Sequence, residues 1–508
     1  MVLQLVASLL ACTATETMTE APPPQPEPQG AALVVLVVVD QLSTALLERA
    51  LPMMDGGIAR MTTEGWAGRA RYPHASLLTA PGHATLSTGA SPAVHGIIGN
   101  SWVEDGVVVT STRPEALMAP TIGDVVAAGQ GRVASLSYKD RGAVLLGGPD
   151  ADLLAWWDRQ SEALVARRGT SRSPMLPAAR VEAVAGQPWV ALYPERYAAL
   201  MPDAGEQEDG SEAGGITFPH PAPGTLGSRA LRGSPAAGTL LTDAAIATVT
   251  DLALGTDSHP DLLTVSYSHT DYVGHAFGPK SWEAVDNLVR LDDELQRLFD
   301  HLDDQVGPGR YAVVLTADHG AADRVEQYVQ RKAFGERMAA SLRPHGIEVR
   351  FVRPHLFLQP NDGAAVQHAI EAARSVPGVA AAVAGDPESI PPETPYATAI
   401  AASLYPPRSG DVYVLLEEGG AWGSGRGPKG MEHGTPYDYD AVVPLLAMGP
   451  GVGDATPGTV DARQIAPELA ALLGVQPPAK ARQPRFSAGS TVPPAAPRPR
   501  VPEPPSGR

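Results

Sequence analysis

The chain predicts an α/β fold: a mostly parallel central sheet with helices on both faces, and a smaller cap or subdomain built from insertions. Three observations predict it. Leu33–Val39 is an unbroken apolar run, the mark of a strand buried on both faces. Asp261–Tyr267 and Tyr311–Thr316 read as two more such strands. From Trp282 to Leu302, apolar residues recur at helical spacing (Val285, Leu288, Leu291, Leu295, Leu298, Leu302), giving an amphipathic helix that packs on a sheet.

Along the chain, Leu3 to Ala11 is mostly apolar but too short to span a bilayer, so residues 1–11 read as a signal peptide. Leu9-Leu10-Ala11-Cys12 is similar to a bacterial lipobox, which would make Cys12 a lipidated membrane anchor on an exported, periplasmic or envelope protein. No Lys or Arg precedes the apolar run, and a plain cleaved signal is the alternative. Residues 12–30 form a polar tether with Pro22, Pro23, Pro24, Pro26 and Pro28. Residues 31–475 form one elaborated domain, with insertions at about 140–240 and 323–419, and 476–508 is a Pro-rich, disordered tail.

Within the domain, Thr121 caps a helix that leads to a strand over 132–137. Residues 201–238, with Glu206, Glu208, Asp209 and Glu212, read as a surface loop or cap. The stretch 323–419 mixes helix with the strand Val412–Leu416 and builds a subdomain over the site.

At 508 residues the chain buries a large core, and one cysteine excludes an intrachain disulfide scaffold. A net charge of −18 argues against a nucleic-acid-binding surface.

The chemistry concentrates in Thr79-Ala-Pro81-Gly-His83, where Pro81 suits the first turn of a helix and Thr79 offers a hydroxyl nucleophile. A threonine hydroxyl needs activation, and a metal is one standard means. The ligands for one stand at strand ends: Asp40 after the first strand, Asp271 and His275 after the second, Asp318 and His319 after the third, and His433 before the apolar run Val442–Met448. Three carboxylates and three histidines make a nitrogen–oxygen set of the kind zinc favours. His83 and His95 read as packing groups around the nucleophile loop; His269, two residues before Asp271, could support it but is assigned no role in the site.

Thr79-Ala-Pro-Gly-His83, Gly99-Asn100-Ser-Trp102, Lys139-Asp-Arg141, Asp271-x-x-x-His275, Asp318-His319-Gly320 and Glu432-His433-Gly434 together resemble the threonine-nucleophile branch of the alkaline phosphatase superfamily, and most of all its phosphate-irrepressible bacterial alkaline phosphatases. The resemblance implies two zinc ions per chain. Asp271, His275 and His433 would hold one; Asp40, Asp318, His319 and the Thr79 oxygen would hold the other. Asn100, Lys139 and Arg141 would contact phosphoryl oxygens of a small phosphate ester, hydrolysed through a phosphothreonine. Two metals about 4 Å apart clamp the attacking and leaving oxygens of an in-line displacement. Lys139-x-Arg141 is similar to the pair that marks monoesterases; the other motifs are shared with nucleotide pyrophosphatase/phosphodiesterases, which stay as an alternative, together with a non-catalytic metal-binding lipoprotein. A formylglycine sulfatase is excluded, because Thr79 and His83 stand where that motif needs Cys or Ser and Arg.

Overall fold

In the computed structural model, residues 30–113, 115–169, 171–423, 429–453 and 458–481 are described. The leader, the lipobox Cys12, nearly all of the tether and most of the Pro-rich tail lie outside them.

Ten strands form the central sheet, in the order Thr459–Asp461, Trp66–Arg71, Val442–Met448, Tyr311–Thr316, Leu33–Val39, Asp261–Tyr267, Val133–Ser137, Leu153–Asp158, Ala163–Arg168 and Ser171–Pro174. The five strands from Tyr311–Thr316 to Leu153–Asp158 run parallel; antiparallel pairs lie on either side of them. Every residue of Leu33–Val39, Asp261–Tyr267 and Tyr311–Thr316 is buried, which accounts for the unbroken apolar run of the first and the mainly apolar composition of the other two. Their register aligns Val38 with Thr316 on one side and Ser266 on the other, so the three chains leave the sheet level with one another. That alignment is what gathers residues from positions 40, 271 and 318 into one crevice.

Helices pack in two groups. Trp282–Gln305 lies with Pro235–Asp251, Thr44–Ala50, Gly57–Glu64 and His269–Phe277; Thr79–Thr88 lies with Ile122–Ala128, Asp140–Gly147 and Ile465–Leu473. The helical stripe of Trp282–Gln305 is buried as its period requires. Thr121 caps Ile122–Ala128 through a capping box with Asp124.

The stretch 323–419 folds around its own apolar core as a four-stranded sheet, ordered Glu348–Val352, His355–Gln359, Val412–Leu416 and Val379–Ala384, with helices Arg331–Leu342 and Gly363–Arg374. Residues 140–240, expected as an insertion, carry part of the central sheet. Their strands Leu153–Asp158, Ala163–Arg168 and Ser171–Pro174 extend the central sheet at one margin. Likewise, 201–238 is not all surface loop: it holds the short helices Pro223–Leu226 and Ser228–Arg232, and Glu208 is buried. Among the described residues no helix is long and apolar enough to cross a membrane.

Candidate active site

Thr79 is the first residue of helix Thr79–Thr88, whose ten residues are all buried. Leu78 before it is extended and supplies no side-chain cap, so first-turn N–H groups look for other acceptors. Asn100 Oδ1 takes the one from Ala80 at 2.9 Å, which brings the Asn100 side chain to the nucleophile turn. Gly82 lets this helix touch the Asp318 loop backbone to backbone, since a Cβ there would stand 2.3 Å from the Asp318 carbonyl oxygen. His83 fastens the turn: its Nδ1–H donates to the Thr79 carbonyl at 2.8 Å, and its Nε2 meets the Ser266 hydroxyl at 2.8 Å. His95 meets the Thr85 hydroxyl at 3.2 Å and stays away from the carboxylates.

The histidines expected as ligands share one arrangement. The Nδ1 of His275 bonds the Met431 carbonyl, that of His319 the Gly320 carbonyl at 3.1 Å, and that of His433 the Leu77 carbonyl at 2.8 Å. A carbonyl only accepts, so each Nδ1 carries the hydrogen and each Nε2 presents a lone pair. Those lone pairs face carboxylate oxygens. His275 Nε2 lies 3.3 Å and His433 Nε2 3.5 Å from Asp271 Oδ1; His319 Nε2 lies 3.4 Å from Asp318 Oδ2 and 3.6 Å from Asp40 Oδ1. Two acceptors do not bond each other. Asp40 Oδ1, Asp318 Oδ2 and His319 Nε2 are buried without a hydrogen-bond partner among the described residues. Burial keeps the imidazoles of His319 and His433 below the ordinary histidine range, hence neutral, and their rings stack at 3.6 Å. Neutral imidazole nitrogens and carboxylate oxygens converging without hydrogens between them fit divalent metal ions. The ligand atoms of Asp271, His275 and His433 cluster within 4.8 Å of one another, and so do those of Asp40, Asp271 and His319.

Lys139, which a reading as a solvated turn would leave in water, is buried. Its ammonium donates to Asp40 Oδ2 at 2.7 Å and Asp271 Oδ2 at 2.6 Å, and stands 3.3 Å from Thr79 Oγ1. Burial alone would lower the Lys139 pKa, but the Asp271 and Asp40 carboxylates outweigh it and raise it. The sequence expectation aimed Lys139 at phosphoryl oxygens; here it holds two of the expected metal ligands, because a lone ammonium is the nearest cation for a buried carboxylate cluster. Burial, then the neighbouring Asp318 charge, pushes the Asp40 carboxyl well up. Arg141, the second residue of helix Asp140–Gly147, is half-buried and near enough for its charge to oppose that of Lys139, with a buried Nε that has no hydrogen-bond partner among the described residues.

No hydrogen bond joins His269 to Asp271 among the described residues. Its ring lies against Gly238 and Tyr267, and its Nδ1 has no partner among the described residues. Asp271 is supported instead by Gln41, which the sequence reading passed over: its Nε2 donates to Asp271 Oδ1 at 2.9 Å and its backbone N to Asp318 Oδ1 at 3.2 Å. Gly274 makes room for it, since a Cβ there would meet Gln41 Oε1 at 1.7 Å. Position 41, directly after a strand-end aspartate, was the available signal.

Behind the site, the loop carrying Glu208 joins the His275 helix to the His433 segment: Asp209 N donates to the Ala276 carbonyl and Gly430 N to the Gln207 carbonyl, both at 2.6 Å. Both Glu208 carboxyl oxygens are buried without a hydrogen-bond partner among the described residues. Burial, then the charge of Glu283, pushes Glu208 up to about 8. An unfolded glutamate titrates near about 4.3, so as pH rises toward 8 the unfolded chain gives up a proton that the folded one keeps, and stability is lost across that window. Glu208→Gln should therefore melt at a higher temperature than the parent at pH 8, with the gap closing below pH 5. A gap that does not change with pH would show that Glu208 does not titrate in this way.

A profile of the type I phosphodiesterase/nucleotide pyrophosphatase family matches residues 34–438. The chain belongs to this family, within the alkaline phosphatase superfamily. It is 32% identical to alkaline phosphatase PhoV of Synechococcus elongatus, over 88% of this chain and 90% of that protein. It is 30% identical to alkaline phosphatase PhoK of a Sphingomonas species, over 87% and 88%. The crystal structure of alkaline phosphatase PafA superposes with a TM-score of 0.81 at 27% identity, covering 91% of this chain and 98% of that one. Murine ectonucleotide pyrophosphatase/phosphodiesterase 5, at 15% identity and a TM-score of 0.53, shares the fold. The chain is thus a hydrolase of the alkaline phosphatase type, in a family that hydrolyses phosphate monoesters.

Proposed function

We propose that this chain hydrolyses phosphate monoesters at a two-zinc site through a phosphothreonine formed on Thr79. The observation that carries the reading is the set of imidazole lone pairs turned toward buried carboxylates next to Thr79. Asp271, His275 and His433 would hold one zinc; Asp40, Asp318, His319 and Thr79 the other. Bound there, zinc supplies Lewis acidity toward the nucleophile and the leaving oxygen.

The chain's own groups do the rest. The Thr79 oxygen attacks phosphorus, the ester P–O bond breaks, and water later cleaves the phosphothreonine to release phosphate. His83 fixes the turn that carries Thr79. Gln41 orients Asp271 and Asp318. The Lys139 ammonium, 3.3 Å from Thr79 Oγ1, would contact the phosphoryl oxygens, with Asp40 and Asp271 then available to hold zinc. Asn100 and Arg141 would add donors, the planar guanidinium suiting a dianionic phosphate. The reading includes export and acylation at Cys12, which the mass of the mature N-terminus checks.

Lys139 and Arg141 separate the monoesterase reading from a diesterase. A monoester carries two negative charges near neutral pH and a diester one. The double variant Lys139→Ala, Arg141→Ala should cost monoester turnover about 3 kcal/mol or more, the usual scale for charged donors at such sites, and cost diester turnover much less. Comparing kcat/KM for 4-nitrophenyl phosphate and bis(4-nitrophenyl) phosphate reads this directly. Equal losses on both would make the two residues structural and favour the diesterase.

A further inference from the structure

A cavity of about 600 Å³, the size of a small-molecule site, is walled in part by His275, one of the residues proposed to hold metal. Its wall includes Arg159, Arg229, Arg232, Tyr272, His275 and Lys429. In a chain with a net charge of −18, four cations on one cavity are a local reversal of the average field. Two wall carboxylates, Glu212 and Glu432, offset part of that charge and leave the wall net positive. Glu212 is engaged by Arg229 at 2.8 Å, and Glu432 is taken by Arg353 at 3.0 Å and Arg331 at 3.4 Å. Arg159 and Lys429 make no ion pair among the described residues.

One ring of the wall, Tyr272, lies between Arg232 and the Lys139 ammonium. Arg232 is only 9% exposed; its guanidinium lies over Tyr272 at 5.1 Å and donates to the Tyr272 hydroxyl at 3.2 Å. The Lys139 ammonium lies 5.4 Å from the centre of the same ring, and 3.3 Å from Thr79 Oγ1. His275, whose Nε2 faces Asp271, forms part of the same wall. His275 and Tyr272 thus place the cation wall next to residues of the proposed reaction site.

We propose that this cavity is a subsite for a second phosphoryl group carried by the leaving group, so that the preferred substrates are small bisphosphorylated or polyphosphorylated molecules. The inference rests on the monoesterase reading. The chemistry is unchanged: the P–O bond of one ester breaks, water supplies the hydroxyl of the released phosphate, and the leaving alkoxide takes up the proton. The second phosphate stays intact and is held by guanidinium donors, whose planar forks match phosphate oxygens.

The test compares fructose 6-phosphate with fructose 1,6-bisphosphate on the zinc-loaded protein and on a triple variant of exposed residues, Arg159→Ala, Arg229→Ala, Lys429→Ala. The parent should favour the bisphosphate in kcat/KM by about tenfold at low salt, the scale of one charge-assisted hydrogen bond. The triple variant should lose most of that preference. Calorimetric binding of the same two sugars to Thr79→Ala, with and without the triple change, reads the subsite where no turnover occurs. A parent that does not discriminate, or a preference that survives the triple change, overturns the subsite. If neither sugar is hydrolysed but the bisphosphate still binds more tightly and loses that advantage in the triple variant, the subsite stands and the monoesterase reading falls.

Discussion

Thr79→Ala is expected to lower monoester turnover by several orders of magnitude while leaving the fold and most of the bound metal in place. The hydroxyl sits at the start of a helix whose ten residues are buried and whose position is set by other contacts, the Gly82 approach to Asp318 and the His83 bond to the Thr79 carbonyl, neither of which uses the Thr79 side chain. Removing the oxygen therefore removes the nucleophile without loosening its frame. Within the proposed metal site the oxygen is one ligand beside Asp40, Asp318 and His319, so metal content should fall little. Thr79→Ser should keep substantial activity, because a primary hydroxyl can take the same place. Trapping with a radiolabelled monoester at low pH should give a labelled residue 79 in the parent and none in the alanine variant. Undiminished turnover in Thr79→Ala, measured on protein freed of contaminating phosphatase, would end the covalent mechanism.

How far these features were legible depended on how local their causes are. The strands Leu33–Val39, Asp261–Tyr267 and Tyr311–Thr316 have the bounds their composition suggested, because burial on both faces favours a mainly apolar run. Asp271 and His275 share a helical face, as a spacing of four requires. The margin strands Ala163–Arg168 and Ser171–Pro174 were not legible: the first is a short apolar stretch running into two arginines, the second is exposed and polar, and both are held by pairing with a neighbour. Glu208 looked like one acid in an acidic surface run, yet the fold turns it inward. Lys139 was legible as a cation near phosphate but not as the partner of Asp40 and Asp271, 99 and 132 residues away, since side-chain pairing at that range is decided by the sheet's register. The cation cavity was invisible for the same reason, being assembled from residues near positions 159, 230 and 429.

Loss of metal should be as damaging as loss of the nucleophile. Dialysis against a strong chelator is expected to abolish activity and zinc to restore it, with about two zinc ions per chain by elemental analysis when activity is full. His433→Ala is the cleaner single substitution. Asp271→Ala would also strand the Lys139 ammonium, which donates to Asp271 Oδ2 at 2.6 Å, so its effect would mix metal loss with an unpaired buried charge. His433 spends Nδ1 on the Leu77 carbonyl and faces Asp271 with Nε2, so truncation removes one ligand and one backbone bond. The variant should retain close to one zinc per chain, lose activity by several orders of magnitude, and recover only partly in excess zinc. Asp318→Ala should do the same to the other ion, and the two variants combined should hold almost none. If turnover survives exhaustive metal removal, or His433→Ala keeps both ions, the ligand assignment is wrong, and the imidazole lone pairs facing Asp271 and Asp318 need another partner.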